Sequence, residues 1–490
     1  MRQCILLALV AALVAGCSNS DSKVKAGQID YLKGFIGGVA ADEPRAALVA
    51  RDVLSAGGSA GDAVAAAALA YAVTYPSAGG LGAGGACVAT DPVAKRTETI
   101  EFPIIAPKNG GNVAVPALVR GIGLLQSRYG KLRWEAVVSP AEQLARFGEP
   151  ASRAFVQAAV ETMPPVTASP SLAPIFGTRS GLVPQEGERR MQPALAGTLG
   201  RLRTAGPADL YQGQLAQALL ADSRALGGSL TPEELRDYAA SIGKPIEVPF
   251  ENNVTLYTLN NAAGGAVAAW LIEQTYDGGS LIGSASLKPE KFAAALGQAH
   301  RAQGPLTMYG FGSASLSVID RNGLAVACAF SMGPAYGSRL VGRESGILFA
   351  APPGAAGDES AYLSAMVGMN RRVGQSFFAA GSSGGAAAPA ALAYSVLQAA
   401  FIKGAKEPAI PALAAPRLFQ ANPQAPLQYE PGADPAALAA ARSRGLSLAE
   451  FGRLGRVTLA YCSNGLPRSP ETCSFAADRR GYGLSLGRQF

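Results

Sequence analysis

Histidine and cysteine are scarce in this sequence of 490 residues, which contains one histidine and six cysteines. It has no histidine cluster and no Cys-x-x-Cys pair. The usual ligands of zinc and haem are therefore missing, and we expect neither a metal nor a cofactor. The single histidine, His300, lies in an alanine-rich stretch typical of a helix, roughly residues 289–301, with no acid nearby to orient it. We interpret His300 as a structural helix residue and expect any catalytic base elsewhere.

Charged residues are also few, at 16% of the chain, and the formal net charge of +7 is dispersed. Arginines occur as pairs at residues 189–190, 371–372 and 479–480, and aromatic residues do not interleave with them. This pattern does not support a nucleic-acid-binding surface, so we expect no nucleic-acid partner. Hydrophobic residues at 49%, together with 59 glycines, instead indicate a large globular protein with a well-buried core and many tight turns.

No apolar run at the amino terminus is long enough to span a membrane. The apolar segment Ile5–Val14 follows a charged start and leads into Val14-Ala15-Gly16-Cys17, which resembles a bacterial lipobox. We expect residues 1–17 to be a lipoprotein signal peptide, Cys17 to carry the lipid anchor, and residues 18–35 to form a polar tether. The protein would then be anchored in the bacterial cell envelope, facing the periplasm or the exterior. Ordinary secretion with cleavage at small residues is the alternative.

The other cysteines are interpreted in the light of that oxidising compartment. Cys462 and Cys473 bracket a loop between two strand-like segments near the carboxyl end, and we expect them to form a disulfide. Cys87 and Cys328 lie in apolar strand-like runs, and we interpret them as small buried hydrophobic residues.

The segment that begins at Ser313 has the pattern of a β-hairpin. Strand-like runs at residues 313–319 and 324–327 flank Asp320-Arg321-Asn322-Gly323. We predict that Asn322 and Gly323 supply the two positive φ angles of a tight turn. The hydroxyl of Ser313 would then stand at the head of a tight antiparallel pair of strands.

A serine hydroxyl needs a base before it can attack a carbonyl, and here no histidine is placed to supply one. Cleavage of the Gly312–Ser313 bond would make Ser313 an amino terminus. The pKa of its free α-amine would be about 7.7–8, close enough to neutrality for it to accept a proton. The nucleophile would then carry its own base. The alternative is that Gly312 and Ser313 form an ordinary loop leading into a strand.

Four blocks in the second half keep the order and the spacing of motifs in one enzyme family. They read SASLSVID, NGLAV, ESGIL and GSSGG, and they lie at Ser313–Asp320, Asn322–Val326, Glu344–Leu348 and Gly381–Gly385. Other blocks precede them, such as Leu54–Ala63, and the likeness runs from about residue 38 to residue 480. In these blocks the chain resembles the gamma-glutamyltransferase family of N-terminal-nucleophile hydrolases.

The resemblance implies an α+β fold, a four-layer αββα sandwich of the N-terminal-nucleophile hydrolase type. Residues 36–312 would correspond to the large segment and residues 313–490 to the small segment, both sharing one core. If the chain is cut between them, the two segments should remain associated.

The same resemblance assigns roles to individual residues. Ser313 takes the place of the family's nucleophilic threonine, and Ser331 that of a second threonine whose hydroxyl supports it. Gly384 and Gly385 match the glycines whose backbone N–H groups form the oxyanion hole, a task that needs close approach and no side chain. The alternative for this glycine-rich block is a flexible turn.

Residues that would bind a glutamyl group in the family are absent here. The arginine that holds the substrate carboxylate is replaced by Pro103, and an asparagine by Gly333. A glutamine and an aspartate fall at Pro352 and Ala355. Three arginines outside the family pattern, Arg120, Arg339 and Arg343, are candidate replacements that would receive an anionic acyl group, and the alternative is that they are solvated surface charges.

The sequence therefore predicts a gamma-glutamyltransferase-like enzyme, similar to a glutathione hydrolase, that cleaves itself before Ser313. It would transfer a γ-glutamyl or related acyl group from a small-molecule amide to water or an amine. The competing hypothesis is a lipoprotein that kept the family scaffold, lost the activity and has a binding or structural role.

Overall fold

The computed structural model describes residues 34–178, 180–276, 289–299, 310–402 and 405–487. The predicted signal peptide, Cys17, all but the last two residues of the tether, and His300 lie outside the described residues. Within the described ranges no helix is long and apolar enough to cross a membrane. The same residues contain no group of three or more side chains that could hold a metal ion.

The strands are short and spread over the whole described chain. They are β1 (Gly37–Ala41), β2 (Gly84–Asp91), β3 (Arg96–Phe102), β4 (Glu149–Pro150), β5 (Arg189–Arg190), β6 (Ser241–Gly243), β7 (Ile246–Pro249), β8 (Thr255–Thr258), β9 (Ser313–Asp320), β10 (Ala325–Ser331), β11 (Ser364–Asn370), β12 (Gln375–Ser383), β13 (Leu418–Phe419), β14 (Leu427–Tyr429), β15 (Leu448–Glu450), β16 (Arg456–Leu466), β17 (Cys473–Ala477) and β18 (Leu484–Leu486).

Helices occupy most of the first half and return near the carboxyl end. They are α1 (Pro44–Ser55), α2 (Ala60–Thr74), α3 (Pro76–Gly79), α4 (Leu118–Tyr129), α5 (Trp134–Phe147), α6 (Arg153–Glu161), α7 (Ala173–Phe176), α8 (Pro193–Ala205), α9 (Asp209–Gln212), α10 (Gln214–Ala225), α11 (Pro232–Asp237), α12 (Gly265–Thr275), α13 (Pro289–Ala299), α14 (Ala388–Phe401), α15 (Ala409–Ala414) and α16 (Pro435–Ser443).

Two antiparallel sheets form the centre of the molecule. The first has the strand order β18-β1-β9-β10-β2-β3-β6, and the second has the order β17-β16-β12-β11-β8-β7. In the first sheet, β9 and β10 lie between β1 and β2, so strands that follow Gly312 in the chain are enclosed by strands that precede it. Backbone hydrogen bonds therefore join the two parts of the chain on both sides of the β9–β10 pair.

Three apolar cores separate four layers. One lies between the first sheet and helices that include α1, α2, α4, α5 and α8, and a second lies between the two sheets. The third lies between the second sheet and the helices α12 to α16. This is the αββα sandwich that the resemblance predicted. The alanine-rich helix α2 is buried along its whole length, because its small side chains allow close packing on all sides.

The β9–β10 hairpin forms in the predicted place but with a different turn. Gly323 has a φ of 84°, whereas Asn322 is not among the residues with positive φ, so the prediction for Asn322 was wrong. The N–H of Gly323 donates to the carbonyl of Asp320 at 2.9 Å, and the Asp320 carboxylate accepts from the N–H of Asn322 at 2.8 Å. This carboxylate stabilises an ordinary turn at Arg321 and Asn322, and only the glycine that follows needs the left-handed conformation.

The cysteines form two disulfides, each between facing positions of adjacent antiparallel strands. Cys462 and Cys473 are joined across β16 and β17. Cys87 on β2 is joined to Cys328 on β10, 241 residues away. Both are buried, as we interpreted them, but the interpretation as small hydrophobic residues missed their disulfide. The alternating sequence pattern predicts strands, but it does not indicate which residue faces which.

Candidate active site

Ser313 is the first residue of β9 and lies opposite Ser331, the last residue of β10. The strand alternates, because Leu316 and Val318 pack into the core below the first helical layer. Ser313, Ser315 and Ser317 face the second sheet instead, where the Ser317 hydroxyl bonds with Thr458 at 2.9 Å. The polar face of β9 is thus enclosed between the two sheets. Ser313 lies at the first position of this strand, and only 2% of its surface is exposed.

The hydroxyl of Ser313 has two partners that approach from different loops. It accepts a hydrogen bond of 2.9 Å from the backbone N–H of Gly384, and it donates to the carboxylate of Glu359. Gly384 follows β12 and has a φ of 96°, a conformation that glycine adopts readily and other residues rarely do. The glycine-rich block thus reaches Ser313 through Gly384, and the predicted oxyanion-hole role of Gly384 and Gly385 stays a prediction.

The carbonyl of Gly312, which precedes Ser313, also has two donors. The Ser331 hydroxyl and the backbone N–H of Met332 each donate to it at 2.9 Å. Two donors converging on one carbonyl oxygen would stabilise the negative charge that develops there when its carbon is attacked. Ser331 thus faces Ser313 across the strand pair, but its hydroxyl contacts the Gly312 carbonyl and not the Ser313 hydroxyl. The predicted support of the nucleophile by Ser331 stays a prediction.

Glu359 is a site residue that sequence reasoning missed. Its carboxylate accepts from the N–H of Gly312 at 2.9 Å in addition to the Ser313 hydroxyl, and the backbone of Gly385 hydrogen bonds to it as well. Burial raises the pKa of this carboxyl, and the hydroxyl of Ser313 and the charge of Arg456 partly oppose that rise. Glu359 lies in a loop without a recognisable family motif, and no feature of the sequence pointed to it.

Arg456 and Asp42 form a second missed group behind Ser313. Arg456 donates to the Ser313 carbonyl at 3.0 Å and to the Gly310 carbonyl at 2.7 Å. Asp42 accepts from the N–H of Ser315 at 2.8 Å. Burial raises the pKa of Asp42, and the positive charge of Arg456 opposes that rise. These buried charges hold the start of β9 from both sides.

The three candidate arginines lie in other surroundings. Arg339 has a φ of 61° and donates to the carbonyl of Pro165 at 2.9 Å, while Arg343 is exposed beside a cavity of about 710 Å³. Arg120 stacks over the ring of Tyr211, with its guanidinium carbon 4.3 Å from the ring centre. Among the contacts that the described residues make, none of the three arginines reaches Ser313 or Glu359.

Pro103, which the resemblance places at the position of the family's carboxylate-binding arginine, lines a cavity of about 240 Å³. Ile104 and Leu363 form apolar parts of the same wall, and Ser360, next to Glu359 in the chain, contributes to it. Gly84 on β2, which faces Ser331, also borders this cavity. The described residues that line this cavity therefore offer a glutamyl carboxylate no cation, and they include the acidic residue Glu101.

The gamma-glutamyltranspeptidase family profile matches residues 46–302, more than half of the chain. The chain belongs to this family. A glutathione hydrolase proenzyme of Pseudomonas aeruginosa is 31% identical over 254 residues, which cover 47% of this chain and 44% of that protein. Glutathione hydrolase 7 of Homo sapiens is 32% identical over 225 residues, covering 43% and 34% respectively. The chain thus spans less than half the length of these gamma-glutamyltranspeptidase relatives.

Solved structures extend the likeness beyond that matched range. The crystal structure of a cephalosporin acylase from Bacillus halodurans superposes with a TM-score of 0.73 at 18% identity, covering 97% of this chain and all of that one. The TM-score establishes the shared fold, whereas a sequence identity of 18% carries no information on the substrate. The family profile ends before Ser313, so any roles of Ser313, Ser331 and Gly384 in this chain are argued from their geometry.

Proposed function

We propose that this gamma-glutamyltranspeptidase cuts its own Gly312–Ser313 bond and then acts as an amidohydrolase or acyltransferase with Ser313 as the nucleophile. After cleavage the free α-amine of Ser313 serves as the base. The hydroxyl attacks the amide carbonyl of the substrate, forms an acyl-enzyme and passes the acyl group to water or to an amine. Gly384 donates its N–H to the developing oxyanion, and we propose the same role for Gly385 in the mature enzyme.

One observation carries the proposal: nucleophile, acceptor and oxyanion donors converge on a single peptide bond. The Ser313 hydroxyl contacts Glu359, and the carbonyl that it would attack receives hydrogen bonds from Ser331 and Met332. The Met332 N–H continues the ladder between β9 and β10, as in an ordinary strand pair. The side-chain contacts of Ser331 and Glu359 are additional, because an ordinary strand start does not need them. Their convergence on the Gly312–Ser313 bond supports an uncut precursor prepared for cleavage.

We propose a small-molecule amide that carries a γ-glutamyl or related acyl group as the substrate. Family membership supports a glutamyl donor, whereas the cavity lining around Pro103, which includes Glu101 and, among the described residues, no cation, indicates weak binding of a free carboxylate there. Efficient hydrolysis of glutathione is therefore not expected. A panel of γ-glutamyl and uncharged acyl amides, tested on cleaved protein, would rank the donors. Anchoring at Cys17 in the bacterial cell envelope remains part of the proposal, supported by the lipobox-like sequence.

Replacing Ser313 by alanine should leave the chain uncut and abolish amide hydrolysis, because the attacking hydroxyl is removed. The wild-type chain should give two fragments on a denaturing gel run with reductant, with residue 313 as the new amino terminus of the smaller one. Terminal sequencing or mass spectrometry of the intact fragments measures this directly. Unlike Ser313→Ala, the Ser313→Thr variant keeps a hydroxyl at this position, so it should still be cleaved at least in part.

Ser317→Ala is the matched control, because Ser317 lies on the same face of β9 and bonds only within the polar layer. It should still be cut. A wild-type chain that stays intact would exclude the proposed enzyme and favour the hypothesis of a scaffold protein with a binding or structural role.

Replacing Ser331 by alanine should slow self-cleavage by about 10²–10³-fold, because one of the two donors to the Gly312 carbonyl is lost. The rate is measured by following the intact chain on reduced gels after synthesis in a cell-free reaction. Ser338→Ala, which removes a hydroxyl bonded to the carbonyl of Phe349 in the following loop, should leave the rate within a few-fold of wild type. Equal rates for Ser331→Ala and wild type would contradict the assigned role.

A further inference from the structure

The proposed mechanism leaves one chemical step without a base. In the mature enzyme the α-amine of Ser313 takes the proton of its own hydroxyl, but this amine does not exist until the Gly312–Ser313 bond has been cut. Self-cleavage therefore requires another group to accept that proton. In the described part of the chain, Glu359 is the one titratable side chain with a hydrogen bond to the Ser313 hydroxyl.

We propose that Glu359 is the general base of self-cleavage in the uncut chain. The inference rests on the proposed role of Ser313 as the nucleophile and adds the residue that activates it. Glu359 contacts a reacting atom, so its role is catalytic and not only one of positioning.

The carboxylate of Glu359 spans the bond to be cut. One oxygen accepts from the N–H of Gly312 at 2.9 Å, and the other contacts the Ser313 hydroxyl. The loop around it is fixed, because the N–H of Glu359 donates to the Gly333 carbonyl at 3.1 Å. The neighbouring Asp358 accepts from the N–H of Ser360 at 2.8 Å. The carboxylate is therefore held on the nucleophile by contacts independent of the hydroxyl.

The surroundings of Glu359 favour proton acceptance by its carboxylate. The charge that acts on Glu359 is that of Arg456 from β16. The same arginine acts on the buried Asp42, which follows β1. Asp358 is the neighbouring acid in the loop, and its carboxylate accepts backbone hydrogen bonds from Gly354 and Ser360. Burial raises the pKa of the Glu359 carboxyl, while Arg456 and the hydrogen-bond donors limit the rise. A carboxylate with a raised pKa is a stronger base than one exposed to solvent.

The step balances in atoms and charges. The Ser313 hydroxyl oxygen bonds to the carbonyl carbon of Gly312 while its proton passes to Glu359, and the carbonyl oxygen becomes an oxyanion held by Ser331 and Met332. The C–N bond then breaks, the proton moves from Glu359 to the departing nitrogen of Ser313, and an ester links Gly312 to the hydroxyl oxygen. Water hydrolyses this ester, which leaves a carboxyl group on Gly312 and both a free amine and a free hydroxyl on Ser313.

The test compares cleavage rates of Glu359→Gln and wild type, each synthesised as the full chain in a cell-free reaction and sampled on reduced denaturing gels at pH 5 to 9. Glutamine keeps the shape and the hydrogen bond from Gly312 but cannot accept the proton. We expect cleavage about 10²–10⁴-fold slower than wild type. The wild-type rate should fall as acidification protonates Glu359, and this acid limb should be missing from the residual rate of Glu359→Gln.

Asp358→Asn is the matched control, because Asp358 lies next to Glu359 and supports only the loop backbone. The cleavage rate of Asp358→Asn should change less than that of Glu359→Gln, and it should still fall as the pH is lowered. If Glu359→Gln does not fold, Glu359→Asp carries the test, with slower cleavage and a retained acid limb expected. A Glu359→Gln chain that is cut at the wild-type rate with the wild-type pH profile overturns the inference while Ser313 keeps its role. An uncut wild-type chain overturns both proposals.

Discussion

Without reductant, the cleaved protein should migrate on a denaturing gel as a single species, and it should separate into two fragments only after reduction. The reason is the disulfide between Cys87 on β2 and Cys328 on β10. These residues lie on opposite sides of the Gly312–Ser313 bond in the chain, but they face each other on neighbouring strands. Cutting that bond therefore leaves the two fragments covalently joined.

The second disulfide provides the control for this experiment. Cys462 and Cys473 both follow Ser313, so their bond cannot join the two fragments. Cys328→Ser should release two fragments on a non-reducing gel, whereas Cys462→Ser should not. Protein purified from an oxidising compartment and treated with a thiol-blocking reagent before denaturation gives the cleanest measurement. Two separate fragments from unreduced wild type would contradict the link between Cys87 and Cys328.

This link adds to an association that the sheet already provides. Because β9 and β10 lie between β1 and β2, separating the fragments would break backbone hydrogen bonds at both flanks of the pair. A disulfide also keeps each fragment at a high effective concentration relative to the other. In the cleaved Cys328→Ser variant, which lacks this disulfide, the sheet hydrogen bonds alone should keep the two fragments together in native buffer. The fragments should separate only in denaturant.

The order of sequence blocks was sufficient to predict the four-layer fold and the hairpin that begins at Ser313. It also assigned Gly384 to the same site as Ser313, and the two residues are in contact although 71 residues separate them in the chain. These features depend on local patterns, such as alternation in β9 and glycines at positions of positive φ, and a block of sequence retains such patterns. The family likeness supplied the long-range pairing that local patterns lack.

Glu359, Asp42 and Arg456 could not be predicted in this way. Arg456 contacts Ser313 across 143 residues and lies at the start of β16, where a charge normally indicates a solvated strand end. Its burial follows from the packing of one sheet on the other, which leaves no periodic signal in the sequence. The disulfide between Cys87 and Cys328 could not be predicted either, since pairing across strands depends on a register that a single sequence does not specify.

Replacing Arg456 by methionine should lower the free energy of unfolding by about 3–5 kcal/mol at pH 8, because it removes one member of a buried set of charges. Arg456 is 1% exposed, and its guanidinium donates to the carbonyls of Ser313 and Gly310. Its positive charge also lowers the pKa values of Asp42 and Glu359 against the effect of burial. Without it, two buried carboxylates lose the cation that faces both.

The loss should depend on pH in a defined direction. Burial raises the folded-state pKa values of Asp42 and Glu359, so the protonated carboxyls favour the folded state at low pH. That contribution is lost as the pH rises through the folded-state pKa values. Removing Arg456 raises those pKa values further. The destabilisation should therefore be largest at pH 8 and should shrink towards pH 5, where the carboxyls can take up protons.

Denaturant unfolding at pH 5 and pH 8, followed by circular dichroism, measures both effects. The comparison is made in a Ser313→Ala background, so that every sample is one intact chain. Arg236→Met is the control, since Arg236 forms an exposed ion pair with Asp237, and its loss should leave the free energy of unfolding nearly unchanged at both pH values. If Arg456→Met lowers the free energy of unfolding equally at pH 5 and pH 8, the destabilisation comes from lost packing and not from the buried charges.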